Sequence, residues 1–162
     1  MNLIQSIFIK MTEYEDSPKR INHFLKVWGY ASFIGKAEGL SERQQLILEA
    51  AALTHDIGIK PSLVKYNSSA GKYQEEEGPA EAEKLLLSLG ADRELKDRVC
   101  YLVGHHHTYD SIDGADYQIL VEADFLVNAY EDGLSKEAVK TFGDRIFKTE
   151  TGKKILYETY LK

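Results

Sequence analysis

The sequence predicts an all-α fold. Apolar residues recur at helical spacing along nearly the whole chain. Gly 12 and Pro 3 are too few for a β protein built on many tight turns. Capping residues stand ahead of several of the periodic segments. The chain has 162 residues, with 43% hydrophobic and 28% charged. That is the composition of a globular protein. A chain of ~150 residues buries roughly 70% of its unfolded surface, so no disulfide or structural metal is needed to hold a core together. No repeat, low-complexity tract or interdomain linker is visible. The expectation is one compact domain over 1–162, a bundle of six to eight helices.

The elements follow in order. A first helix is expected over Leu3 to Met11. Asp16-Ser17-Pro18 opens a second, with a capping side chain ahead of a first-turn proline, and Gly39 stops it after about Glu38. Ser41-Glu42-Arg43-Gln44 reads as a capping box for a third. This third helix runs through Leu46 to Asp56 and is apolar on most sides, which places it at the centre of the fold. Gly58 to Gly71 contains Pro61, Asn67, Ser68 and Ser69 and reads as a loop. Helices follow over Gln74 to Leu89, from Asp92 to about Val103, and over Tyr117 to Glu131. The Gly104 to Gly114 stretch between the last two is polar and irregular. Two short helices close the chain, around Lys136 to Phe142 and Lys148 to Leu161.

Charge and cysteine usage exclude several functions. The net charge is −6 and the pI about 5.4. Nucleic-acid binders need a surplus of Lys and Arg, so a polymeric nucleic-acid partner is not expected. A small anion remains a candidate ligand, because one pocket can be basic on an acidic protein. Cys100 is the single cysteine and has no internal partner, which suits a reducing compartment. No segment approaches the ~20 apolar residues of a membrane span. The first ten residues lack the basic start of a signal peptide. A cytoplasmic protein without membrane contact is the expectation, with room for a homo-oligomer.

Five histidines carry the chemical interest: His23, His55, His105, His106 and His107. His55-Asp56 lies at the end of the most apolar helix. A surface pair at a helix C-terminus would need no function. Asp56 is set in a buried run, however, and an unpaired ion there is costly, so it calls for a metal, a cation or strong donors. Asp124 sits at the edge of an apolar stripe formed by Ile119, Leu120, Ala123 and Val127. One such carboxylate commonly pairs with a lysine. A second, in a chain with clustered histidines, points to metal ligation. His23, between Ile21 and Val27, is by itself an ordinary helical histidine. The triplet sits at the mouth of a buried helix, and its three side chains cannot all face one way.

Taken together, His23, then His55-Asp56 in Ala51-Ala52-Leu53-Thr54-His55-Asp56-Ile57-Gly58, then Gly104-His105-His106, then Val121-Glu122-Ala123-Asp124, resemble the HD-domain metal-dependent phosphohydrolases. The resemblance covers roughly residues 19–130. It implies an HD-like helical bundle in which His23, His55, Asp56 and Asp124 bind one divalent metal, drawn from Mn, Fe, Co, Ni, Zn or Mg. It also implies hydrolysis of a phosphate ester, of a nucleotide or related small metabolite, by water activated at that metal. Asp56, His105 and His106 are the expected catalytic residues. The two histidines would line the substrate side, hold a second labile ion with Asp56, or position and protonate the phosphate. Relatives with two metals carry a further histidine where this chain has Gln74, so one tight site is expected. The same substitution counts against a di-iron oxidase. Glu75 to Glu77 follow Gln74. They fit a helix dipole, or could offer an oxygen ligand. Arg20, Lys60 and Lys72 are the candidate phosphate-binding cations. The alternative is a degenerate module that binds a metal or nucleotide in a regulatory role.

Overall fold

The computed structural model describes residues 1–162, and every regular element in it is helical. Helix α1 covers Leu3–Tyr14, α2 Pro18–Ala37 and α3 Glu42–Thr54. Then come α4 over Ile59–Tyr66, α5 over Gly71–Ser88 and α6 over Arg93–Val103. Helices α7 (Ala115–Glu131), α8 (Lys136–Ile146) and α9 (Glu150–Leu156) complete the chain, and α9 runs into a π turn over Tyr157–Leu161. None of them is long and apolar enough to cross a membrane.

Local chemistry sets most boundaries. The Ser17 side chain accepts from Arg20 N, and Pro18 fills the first helical position of α2. Ser41 and Gln44 form a reciprocal capping box. Asp92, Ser135 and Thr149 cap α6, α8 and α9, each side chain accepting one backbone N–H of the first turn.

Helix α3 is the axis of the bundle. Its residues from Ile47 to Thr54 are all buried, and α1, α2, α6 and α7 pack around it. Ala50, Ala51 and Ala52 present little bulk, which lets neighbouring helices approach. The buried Glu49 accepts from Trp28 Nε1 at 2.9 Å, Ser32 Oγ at 3.0 Å and Gln45 Nε2 at 2.7 Å. Three donors satisfy a carboxylate that would otherwise be costly to bury. A core of 32 buried apolar residues draws on every helix from α1 to α9 except α4.

Three local expectations change. The stretch from Gly58 to Gly71 is not all loop, because α4 occupies Ile59–Tyr66. Pro61 hides this helix from a sequence reading, yet it falls in the first turn, where no intrahelical donor is lost. Asn67 ends it in the left-handed conformation at φ 50°. Helix α3 stops at Thr54 rather than Asp56. Residues 55–58 form a tight turn, with Ile57 N donating to Thr54 O and Ile59 N to Asp56 O. Helix α5 starts at Gly71, so Glu75 to Glu77 lie beyond its first turn and do not serve its dipole. Instead Glu75 accepts from Thr108 Oγ1 and Glu77 pairs with Lys65.

The turn after α3 is pressed directly against α5. A Cβ on Gly58 would lie 2.5 Å from Gln74 O and 2.9 Å from Gly78 Cα. Only glycine at 58 permits that approach, and it brings Gln74 under the His55-Asp56 turn.

Candidate metal centre

Four side chains from three segments converge at the C-terminal end of α3. His23 comes from the second turn of α2, His55 and Asp56 from the turn after α3, and Asp124 from the middle of α7. His23 Nε2 lies 3.1 Å from Asp124 Oδ1, 3.2 Å from Asp56 Oδ2 and 3.1 Å from His55 Nε2. His55 Nε2 is 3.3 Å from Asp124 Oδ1 and 3.4 Å from Asp56 Oδ2. His23, His55 and Asp124 are buried.

The far side of each ring fixes which nitrogen faces inward. His55 Nδ1 donates to Ala52 O at 2.7 Å, and His106 Nδ1 donates to Val103 O at 2.9 Å. His23 Nδ1 donates to the Glu131 carboxylate at 3.1 Å. Those acceptors carry no hydrogen, so in the neutral rings each Nε2 is left as a lone pair. Two lone pairs 3.1 Å apart beside the buried Asp124 and half-buried Asp56 carboxylates repel unless a cation sits among them. His106 Nε2 points at Asp56 Oδ1 from 3.4 Å and is a buried atom with no hydrogen-bond partner. Zinc-type ions hold imidazole nitrogen and carboxylate oxygen at about 2.0–2.2 Å, which sets neighbouring ligand atoms about 3 Å apart. The residues present therefore fit a divalent ion. Imidazole with carboxylate suits Mn, Fe, Co, Ni or Zn better than Ca.

Protons are the competing occupants. Burial opposes charge on His23, but Asp124 and Asp56 outweigh it and raise its pKa to about 10. His55 behaves alike: burial lowers its pKa, and the two aspartates drive it well above the ordinary value. Burial raises the pKa of Asp56 and of Asp124, yet the facing histidines hold both below the usual carboxylate range.

Of the triplet, His106 and His107 turn toward Asp56, and these three form a second group with ligand spacing. His105 turns away, contrary to its expected place beside the substrate. Its Nδ1 donates to Tyr101 O at 2.7 Å and its ring stacks on Tyr101 at 4.0 Å, which continues the outer face of α6. His107 takes the inward position. Its Nε2 lies 3.0 Å from Gln74 Oε1, while Gln74 Nε2 donates to Ser69 O. Burial, then the neighbouring His106, lowers the pKa of His107 to about 4.

Of the candidate cations, Arg20 sits near the cluster, and the Asp56 charge contributes to its raised pKa after the Glu15 hydrogen bond. Arg20 Nη2 pairs with the buried Glu15 at 2.5 Å, and its Nε is buried without a partner. Lys60 instead donates to Tyr14 O and pairs with Asp16, both at 2.8 Å. Lys72 lies over the Tyr73 ring. Neither lysine contacts the cluster, because each finds a nearer partner on its own side of the molecule.

Glu131 and Glu15 are site residues that the sequence reading did not single out, and His107 was named there only as part of the triplet. Glu131 lies seven residues beyond Asp124, two turns along the same face of α7, and that spacing was the available signal.

Comparison with known proteins places this arrangement. A predicted HD superfamily hydrolase from an uncultured Thermotogales bacterium has a similar solved structure, with TM-score 0.70 and 25% identity over 96% of this chain and 84% of that one. No curated protein sequence matches the chain. The HD domain family model matches residues 20–147, a span that holds His23, His55, Asp56 and Asp124, and the chain belongs to that family.

Proposed function

We propose that this protein is a metal-dependent phosphohydrolase acting on a phosphate ester of a nucleotide or related small metabolite. The observation that carries the reading is the inward set of Nε2 lone pairs and the Asp56 and Asp124 carboxylates at 3.1–3.4 Å. His23, His55, Asp56 and Asp124 hold one divalent ion. When bound, such an ion neutralises charge on phosphoryl oxygens and lowers the pKa of a water.

The chain's own residues supply the remaining steps. Arg20, braced by Glu15, offers its free Nε–H to a phosphate oxygen. His106 Nε2, a lone pair with no partner, accepts a proton from the attacking water or returns one to the leaving group. Its Nδ1–H, fixed on Val103 O, keeps the ring in that tautomer. Glu131 orients His23 in the same way.

The expected metal number is one tight ion per chain. Gln74 presents a neutral amide, a poorer ligand than imidazole for a borderline metal. A second ion at Asp56, His106 and His107 is therefore the weaker one. Titration of metal-free protein with Mn or Co gives one tight equivalent, and Gln74→His adds a second. Two equally tight sites in the wild type would contradict this.

The activity test is metal analysis of the purified protein, followed by a phosphatase screen with Mn, Co, Ni, Mg and Zn. Turnover of a phosphate ester with at least one of these ions is expected. Tight metal binding with no turnover on any ester would favour the regulatory module.

A further inference from the structure

An aromatic row runs from the core residue after Asp124 to solvent. Phe125 follows Asp124 directly on α7, and its ring stacks on Phe142 of α8 at 3.8 Å and 4°. Tyr109 meets Phe142 at 5.4 Å and 90°. Phe125 is buried and Phe142 half-buried, while Tyr109 is 39% exposed. The row is thus anchored in the core beside a cluster carboxylate and ends on an open ring.

The partly exposed rings of α4, α5 and α6 are paired off. Tyr66 stacks on Tyr73 at 4.0 Å, and Tyr101 on His105 at 4.0 Å. Tyr109 has one ring neighbour, in edge geometry, so it carries no stacked partner.

Its backbone is nevertheless held firmly. Thr108 Oγ1 donates to the Glu75 carboxylate at 2.9 Å. The Tyr117 hydroxyl donates to both His105 O and Thr108 O. The His107 ring is tied to Gln74. A ring fixed beforehand loses little entropy when a ligand packs on it. Burial, then the charges of Asp124 and Glu75, push the hydroxyl pKa up to about 12, so the ring stays neutral.

We propose that Tyr109, backed by Phe142, determines specificity at this site by stacking on a planar aromatic group carried by the phosphate ester, of the nucleobase class. The proposal rests on the phosphohydrolase reading, which puts the phosphate at the cluster beside Asp124. Base–aromatic stacking tolerates any base and contributes ~1–3 kcal/mol per base, which corresponds to roughly a 5- to 150-fold gain in affinity.

The test is calorimetric binding to metal-loaded protein of non-hydrolysable purine and pyrimidine nucleoside 5′-phosphonates, ribose 5-phosphonate and inorganic phosphate. The wild type is expected to bind the nucleoside compounds about tenfold or more tightly than ribose 5-phosphonate. Tyr109→Ala should abolish that margin and Tyr109→Phe should keep it, with inorganic phosphate bound equally by all three proteins. Absence of the margin in the wild type, or its survival in Tyr109→Ala, would overturn the proposal. Failure of inorganic phosphate to bind any of the three would instead overturn the phosphohydrolase reading beneath it.

Discussion

His106 is the residue with the most exposed chemistry in the most enclosed position. It is 1% exposed, its Nδ1 is committed to Val103 O, and its Nε2 faces Asp56 with no hydrogen-bond partner. If it moves a proton during turnover, His106→Ala should lower kcat by ~10²–10⁴-fold, the usual worth of a general acid or base. The tightly held metal should remain, since His23, His55, Asp56 and Asp124 are untouched. Metal analysis beside steady-state kinetics checks this. Loss of the metal together with activity would make His106 a ligand instead. Residue-level legibility was uneven. Asp56 and Asp124 could be read because a carboxylate inside an apolar run needs a counter-ion. His105 and His107 could not be told apart, because three consecutive imidazoles on a turn are sorted by backbone direction. Here the stacking of His105 on Tyr101 and the anchoring of His107 by Gln74 do the sorting.

At the scale of elements, α7 joins the centre to the C-terminal helices. Asp124 faces the cluster, while Glu122, fully buried, faces the junction of α8 and α9. Glu122 accepts from Gln118 Nε2, Lys148 N, Thr149 N and Thr149 Oγ1, at 2.6–3.2 Å. Hydrogen bonds to a charged group contribute ~1.5–3 kcal/mol each, and orphaned buried donors add a penalty. Glu122→Ala should therefore destabilise the fold by about 3 kcal/mol, read as a lower midpoint in urea. Metal stoichiometry should stay unchanged in native buffer. An unaltered midpoint would show that the junction is held by packing alone. The helices themselves were legible from caps such as Ser17, Ser41 and Asp92. Helix α4 was not, because its Pro61 and flanking Asn and Ser mimic a loop until the proline is seen to occupy a first turn.

Across the whole molecule, the cluster links stability to pH. His23 has a folded pKa raised to about 10 from an ordinary 6.5, with burial opposing and the aspartates driving the shift. A raised pKa contributes stability that is complete below about pH 6.5 and is lost as pH climbs through 10. Metal-free protein should thus lose thermal stability steadily from pH 6.5 to 10. In the loaded protein the ion replaces those protons, so the slope should flatten over the same range. Melting curves with and without chelator check this. Equal slopes in both states would place the histidine protons elsewhere.

Four side chains build one centre, and metal content measures it directly. Elemental analysis of the purified wild type should give one tightly held equivalent per chain. His55→Ala leaves one coordination position open, and Asp56→Ala removes a carboxylate that offsets the ion's charge. Outer-shell changes alone cost ~10–100-fold in affinity, so losing a direct ligand should cost more. Both variants should retain helical circular dichroism and lose the metal. Full occupancy in both, with the fold intact, would contradict the assignment.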